Sequence, residues 1–155
     1  MSLQLITVSQ KQPEWVTAGY EEYAKRLAKE WQLTLNVIPT PKRSQHSIAQ
    51  CLKLEAEQIL ATIRPYSLII ALDERGEQWS SEILAKSLQQ WLSSGESISF
   101  IIGGPDGLSS ECKEKAHRVW SLSPLTLPHG LVRVMVAEQL YRAWSIGAGH
   151  PYHRT

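Results

Sequence analysis

Residues 67–72 read Ser-Leu-Ile-Ile-Ala-Leu, a run with almost no polar interruption. A strand of this kind has to be covered on both faces, and in a small domain that cover comes from helices flanking a parallel sheet. The sequence around it supports the same arrangement. Leu3-Gln-Leu-Ile-Thr-Val8 and Leu33-Thr-Leu-Asn-Val-Ile38 mix alternation with β-branched residues, and Ser97-Ile-Ser-Phe-Ile-Ile102 and Val119–Leu122 supply two more strand-like runs. Helical patterns lie between them. Pro13 suits the first turn of a helix carrying Trp15, Gly19, Tyr23, Leu27 and Trp31, and Ser47 precedes one with Ile48, Leu52, Glu55 and Ile59. After a turn at Asp73-Glu-Arg-Gly76, Ser80 or Ser81 can cap a helix containing Ile83, Leu84, Leu88 and Trp91, with Gly95 at its C-terminal end. A short helix after Ser109 or Ser110 and a long one from Leu131 to Ile146 complete the alternation. The expected fold is α/β, a mainly parallel sheet with helices on both faces, in one domain over residues 1–155.

In such folds ligands bind beyond the carboxyl ends of the strands, so the loops after Leu72, Ile102 and Leu122 are the places to look. Gly103-Gly104-Pro105-Asp106-Gly107 lacks the Gly-Lys-Ser/Thr ending of a P-loop and the spacing of a dinucleotide fingerprint. Its aspartate opposes a phosphate, whereas its glycines let an uncharged or cationic ligand approach the backbone; a plain tight turn is the competing reading. Ser121-Leu-Ser-Pro-Leu-Thr-Leu-Pro128 is apolar yet broken by two prolines, so its backbone is irregular and leaves amides and carbonyls free. Such groups, flanked by aliphatic side chains, suit a purine ring; a buried connection is the alternative.

The helix after His129 is apolar around nearly its whole circumference, apart from a stripe of Glu138, Arg142 and Ser145. Arg133 falls on the other side, among Ala137, Leu140 and Trp144. A guanidinium there either meets an anion or a subunit boundary, or snorkels to solvent from the first turn. The tail His150-Pro-Tyr-His-Arg154 is a frayed end or a functional arm. Its composition favours the arm: imidazole shuttles protons near neutral pH, tyrosine stacks on bases and arginine grips phosphate. Lys42-Arg43 reads as a solvated loop, with RNA contact as the weaker option.

Other classes are disfavoured. A formal charge of +1 provides no global field for nucleic acid, so RNA contact must come from local clusters or a patch doubled in an oligomer. Cys51 and Cys112 lie in expected helices without a CxxC partner, which speaks against a disulfide framework or a zinc site. The absence of a signal-like segment and of any run of roughly 20 apolar residues leads to the expectation of a cytoplasmic protein with no membrane partner.

The segments Ile102-Gly-Gly-Pro-Asp-Gly-Leu-Ser109, Ser121 to His129, Leu131-Val-Arg-Val-Met-Val-Ala-Glu-Gln-Leu-Tyr-Arg-Ala-Trp144 and His150-Pro-Tyr-His-Arg154 closely resemble the ribosomal RNA large subunit methyltransferase H family, and the resemblance spans essentially the whole chain. It implies a SPOUT-class methyltransferase with a C-terminal trefoil knot, which pattern reasoning excludes by default because knots are rare. It further implies a homodimer using S-adenosylmethionine to methylate N3 of a pseudouridine in 23S rRNA within the assembled 70S ribosome, with no metal. Carried onto this sequence, the donor is held by Leu72, Gly104, Ser123, Pro124, Leu125, Thr126, Leu127 and Pro128. The catalytic candidates are His153, then His129, as base, Arg133, Arg142 and Arg154 for the delocalised conjugate base, and Tyr152. Gly130 stands where proline is expected, a change that loosens the loop without removing a functional group. The alternatives are methylation of a different RNA site, a non-catalytic ribosome-binding module, against which the retained glycines and tail histidines speak, and a phosphate-binding nucleotide domain, which Asp106 disfavours.

Overall fold

The computed structural model describes residues 2–154. Five strands, β1 (Leu3–Val8), β2 (Leu33–Ile38), β3 (Leu68–Gln78), β4 (Ile98–Ile102) and β5 (Arg118–Ser121), form one sheet in the order β2-β1-β4-β3-β5. Every pairing between them is parallel. The helices are α1 (Glu14–Ala24), α2 (Ile48–Thr62), α3 (Ser81–Ser93), α4 (Ser110–Lys115) and α5 (His129–Ala148).

Strand side chains alternate between two cores. Leu3, Leu5, Ile70, Phe100 and Ile102 point to one face, where Tyr20 of α1, Leu84 and Leu88 of α3, and Val136 and Leu140 of α5 cover them. Ile6, Val8, Ala71 and Ile101 point to the other, under Ala56 and Ile59 of α2 and Cys112 of α4. The expected α/β sheet with helices on both faces is what forms. Both cysteines are free, buried helix residues.

Local signals explain most boundaries. Ser47 begins α2 with a reciprocal capping box: its Oγ accepts from the Gln50 amide at 3.1 Å, and Gln50 Oε1 accepts from the Ser47 amide at 2.8 Å. Ser80 and Ser109 cap α3 and α4 with the hydroxyl alone, accepting from the Ile83 and Cys112 amides. Gly95, at φ +82°, follows α3, and Gly149, at φ +71°, caps α5 in the left-handed conformation glycine tolerates best.

Three expectations need correction. The first helix stops at Ala24, and Trp31 belongs to a separate 3-10 turn, Lys29–Trp31, that swings it into the core. Asp73–Gly76 does not end its strand. These residues bulge out of the ladder, and β3 then returns to β5, so that Trp120 pairs with both Leu72 and Glu77. Gly76 permits this, because a Cβ there would sit 2.5 Å from the Val119 carbonyl oxygen. Finally, α5 starts at His129, two residues before its expected beginning, and places Gly130 inside the helix rather than in a loop. A Cβ at Gly130 would lie 2.5 Å from Gln12 Oε1 and 3.1 Å from Val16 Cγ2 of α1, so glycine here makes room for the start of α1 and the residues before it.

Candidate active site

The bulge of β3 and the carboxyl ends of β4 and β5 open into a cleft of about 590 Å³, within the range of small-molecule sites. Its walls are Leu72–Arg75, Ile102–Leu108, and the segment from Trp120 to His129, with Val132 of α5 and Lys113 of α4 closing the rim. These are the three loops that the strand pattern singled out.

The glycine loop is held tight by its own backbone. Gly107, at φ +78°, donates its amide to the Gly104 carbonyl at 2.9 Å, and Gly103 packs so closely on Gly107 that no side chain fits between them. A second fastening comes from outside the loop. Arg43 donates to Asp106 Oδ2 through Nη2 at 2.6 Å and through Nε at 3.1 Å. Its Nη2 also lies 3.4 Å from Glu55, whose side chain is 2% exposed. Burial raises the Glu55 carboxyl above the ordinary range, with Arg43 the main opposing influence. Lys42-Arg43 is therefore not simply a solvated pair.

The proline loop is fixed by short side-chain bonds. Ser121 Oγ donates to the Ser123 carbonyl at 2.9 Å, and Ser123 Oγ accepts from the Leu125 amide at 3.0 Å. Thr126 Oγ1 donates to Glu74 Oε2 at 2.7 Å, tying this loop to the β3 bulge across the cleft. On the same bulge Asp73 is partly buried, which favours its neutral form, but the Arg75 amide at 2.9 Å and Lys113 at 3.2 Å outweigh that and hold it below the usual carboxylate range. Trp120 forms the floor, stacked on Trp79 with ring centroids 5.3 Å apart. The result is an aliphatic and aromatic slot with the carboxylates of Asp73 and Glu74 on the β3 bulge and Asp106 on the glycine loop.

Of the sequence-nominated donor residues, Leu72, Gly104, Ser123, Leu125, Thr126, Leu127 and Pro128 all line this cleft, whereas Pro124 stands exposed outside the lining. Leu125 is 69% exposed and overhangs the opening. His129 is at the cleft's inner end, with Gln12 Nε2 3.5 Å from its Nε2. Burial, and then the nearby Arg133 charge, lower the His129 pKa, so the imidazole is neutral at pH 7.

Arg133 does not take the snorkelling alternative. It neither reaches solvent nor meets a carboxylate among the described residues. It is 5% exposed and donates through Nη2 to Thr7 Oγ1 at 3.2 Å and Ser9 Oγ at 2.9 Å. Its Nε has no partner among the described residues, and burial lowers its pKa. The nearby Tyr20 hydroxyl also has no hydrogen-bond partner among the described residues, and burial, partly countered by Arg133, pushes its pKa up to about 12.

The tail is ordered, not frayed. Pro151–Arg154 forms a 3-10 turn packed on the last turns of α5. Tyr152 donates its hydroxyl to Glu138 Oε2 at 2.7 Å, and Arg142 Nη2 donates to the same oxygen at 2.8 Å. The Arg142 guanidinium also lies 5.0 Å from the Tyr152 ring centroid, and Tyr152 packs on Tyr141 and Tyr23. Burial and the Glu138 carboxylate raise the Tyr152 pKa, keeping the phenol protonated. His153 Nδ1 is buried without a hydrogen-bond partner among the described residues. This cluster is not at the cleft. The cleft opens at the first turn of α5, and Tyr152 folds the tail back along the helix as far as Glu138, nine residues or about 13 Å of rise beyond His129. Within one chain, His129 is the only catalytic candidate in the cleft lining, while Arg142, Tyr152, His153 and Arg154 are outside it.

Comparison with known proteins agrees with this geometry. Residues 1–153 match the family model described as "Predicted SPOUT methyltransferase". The chain belongs to the SPOUT methyltransferase family. Within that family it is similar to the ribosomal RNA large subunit methyltransferase H of Hahella chejuensis (strain KCTC 2396), with 47% identity over 155 residues and 99% of each chain covered. That similarity bears out the resemblance carried by the four motif segments. Among solved structures, a probable methyltransferase from Bordetella pertussis Tohama I superposes with a TM-score of 0.55 at 18% identity, covering 92% of this chain and 94% of the other. A probable methylase family protein from Haemophilus influenzae Rd KW20 also gives 0.55, at 14% identity, covering 96% and 69%. These two structural likenesses speak for the SPOUT methyltransferase fold alone.

Sequence reasoning missed the carboxylates Asp73 and Glu74, the rim cation Lys113 and the Arg43–Asp106–Glu55 cluster. One signal was available: Glu55 falls on the same helical stripe as Ile48, Leu52 and Ile59, an apolar face on which a carboxylate needs a partner.

Proposed function

We propose that this SPOUT methyltransferase transfers a methyl group from S-adenosylmethionine to N3 of a pseudouridine in 23S rRNA, acting on the assembled 70S ribosome in the cytoplasm. It works as a single domain over residues 1–155, as a homodimer, with the trefoil knot of its class in the C-terminal half. The observation that carries this reading is the cleft: segments remote in sequence, and nominated independently by strand pattern and by family motif, meet around one slot.

The cleft's chemistry suits the donor. The aliphatic side chains of Leu72, Ile102, Leu122 and Leu127 match a purine, while Asp73 and Glu74 suit the cationic part of the molecule. When bound, the donor supplies an activated methyl on a positively charged sulfur. The protein's own part is then to align the acceptor nitrogen and to take its proton as the N–C bond forms and the C–S bond breaks. His153, with Nδ1 free of internal partners, is the first candidate for that proton, and His129 the second. Arg154, exposed and without an ion pair among the described residues, and the buried Arg133 are candidates to stabilise the anion shared by the two flanking carbonyls. Arg142 acts differently, since Glu138 already neutralises it; it braces Tyr152.

The separation of cleft and tail along α5 supports a composite site in which one subunit's tail covers the other's donor. A small formal charge of +1 fits an enzyme to which the ribosome presents the base, rather than one that grips free RNA. The decisive experiment offers labelled S-adenosylmethionine and 70S ribosomes lacking the modification, with free 50S subunits and His153→Ala alongside. Label at N3 of a 23S pseudouridine, lost in the variant, is expected. Donor binding without transfer to 70S particles would redirect the search to another RNA site.

A further inference from the structure

We propose that Arg43 is a positioning residue for the methyl donor, a latch from the β2–α2 connection that holds the glycine loop at its lip of the cleft. The inference rests on the donor reading of that cleft. It begins with an imbalance. Glu55 is almost fully buried on α2, and the cation on it is Arg43, 3.4 Å away. The same guanidinium nitrogen holds Asp106 at 2.6 Å, and Nε adds a second bond to that carboxylate. One arginine therefore serves two carboxylates, one from beneath the loop and one from its tip. Such two-point, charge-assisted contacts fix geometry as well as adding energy.

The loop sits between these groups. The back of Gly104 faces Val8 Cγ1, Glu55 Oε1 and Thr40 Cγ2, at 3.2, 3.4 and 3.5 Å from where a Cβ would be. Glu55 Oε1 and Thr40 Oγ1 are both buried without hydrogen-bond partners among the described residues, so neither atom adds a tie between the loop and α2 to the one Arg43 makes. Gly104 and Asp106 line the cleft; Glu55 and Thr40 do not. Removing the guanidinium would leave a buried, unpaired carboxylate directly behind Gly104 and a second one beside it on the loop. Unpaired buried charge and like-charge repulsion both drive the loop away from α2, which widens the donor slot without touching any group that reacts. Asp106, which on sequence alone only disfavoured phosphate, thus has a constructive role.

The test measures S-adenosylmethionine affinity by calorimetry for the wild-type protein, Arg43→Gln, Arg43→Lys, Asp106→Asn and the double variant Arg43→Gln/Asp106→Asn. Amide exchange at Gly107 and methyl transfer at varied donor concentration complete it. The latch predicts that Arg43→Gln and Asp106→Asn each weaken donor binding on the order of tenfold, and that the double variant is no weaker than Arg43→Gln, because both changes break one connection. Gly107 exchange should quicken, the donor KM should rise, and kcat at saturating donor should stay near the wild-type value. Arg43→Lys, which restores charge without the two-atom grip, should fall between. An unchanged donor affinity in folded Arg43→Gln overturns the latch, as do multiplicative effects or a fall in kcat alone. If Arg43→Gln does not fold, unchanged affinity in Asp106→Asn overturns it equally. Failure of the wild-type protein to bind the donor is a different result and removes the donor reading itself.

Discussion

Two adjacent glycines should respond to the same substitution in opposite ways. At Gly103 a Cβ would fall 2.3 Å from the Gly107 carbonyl carbon, 2.4 Å from its oxygen and 2.6 Å from the Leu108 amide nitrogen, all main-chain atoms. Ordinary contact begins near 3.4 Å, so the two arms of the loop must part by about 1 Å. That movement breaks the Gly107-to-Gly104 hydrogen bond and lifts buried Leu108 from its core. Overpacking costs about 1–3 kcal/mol, and the lost bond about 1 kcal/mol more. Gly103→Ala should therefore lose about 2–4 kcal/mol and most of its donor affinity. At Gly104 the Cβ meets only side-chain atoms, the nearest at 3.2 Å, on the side away from the cleft. A shift of a few tenths of an ångström relieves that contact, and alanine restricts the unfolded chain by about 0.4–1 kcal/mol in compensation. Gly104→Ala should stay within about 1 kcal/mol of wild type and keep its donor site. Urea unfolding with calorimetric titration of S-adenosylmethionine measures both. A Gly104→Ala protein as damaged as Gly103→Ala would refute the assignment of which side of the loop faces the ligand.

Other consequences are as direct. Arg133 is a buried charge whose described partners are two hydroxyls, so Arg133→Met should equal or exceed wild type in urea unfolding, by up to about 1 kcal/mol, while methyl transfer falls; a large loss of stability would mean that those hydroxyl bonds more than repay the burial. Tyr152→Phe removes a 2.7 Å bond to Glu138 and should cost about 0.5–1.5 kcal/mol, with transfer reduced and donor affinity kept. The His129 pKa is lowered by folding, so its contribution to stability is fully present above the unfolded value of about 6.5 and is lost as pH falls through the lower folded value. Thermal unfolding between pH 5 and 8 should show that acid-side loss, and His129→Gln should lessen it.

What could be read from the chain depended on how local the information was. Ser67–Leu72 announced a strand covered on both faces because continuous burial leaves a continuous apolar run. The cap at Ser47 was equally plain, and Ser80 and Ser109 were each narrowed to one of two adjacent serines, since a cap and its helix lie within one turn. Asp73–Gly76 misled because its composition is that of a turn, and only the register against β5, more than 40 residues on, reveals a bulge. The bond between Arg43 and Asp106 joins residues 63 positions apart, and no periodicity encodes it. Arg133 was recognised as misplaced on an apolar helix face, but Thr7 and Ser9, which receive it, come from the other end of the chain. The tail's composition suggested an arm, yet only the length of α5 between His129 and Glu138, where Tyr152 is held, shows how far it lies from the slot.

That length has a genetic meaning. In the proposed dimer a lesion in the cleft and a lesion in the tail disable different halves of each composite site. Two alleles, one ruined at Gly103 and the other at His153, would each be silent alone. Expressed together, they would form mixed pairs in which one intact cleft faces one intact tail. Loss-of-function alleles of such a protein would sort into two complementation groups within a single short reading frame, divided along α5.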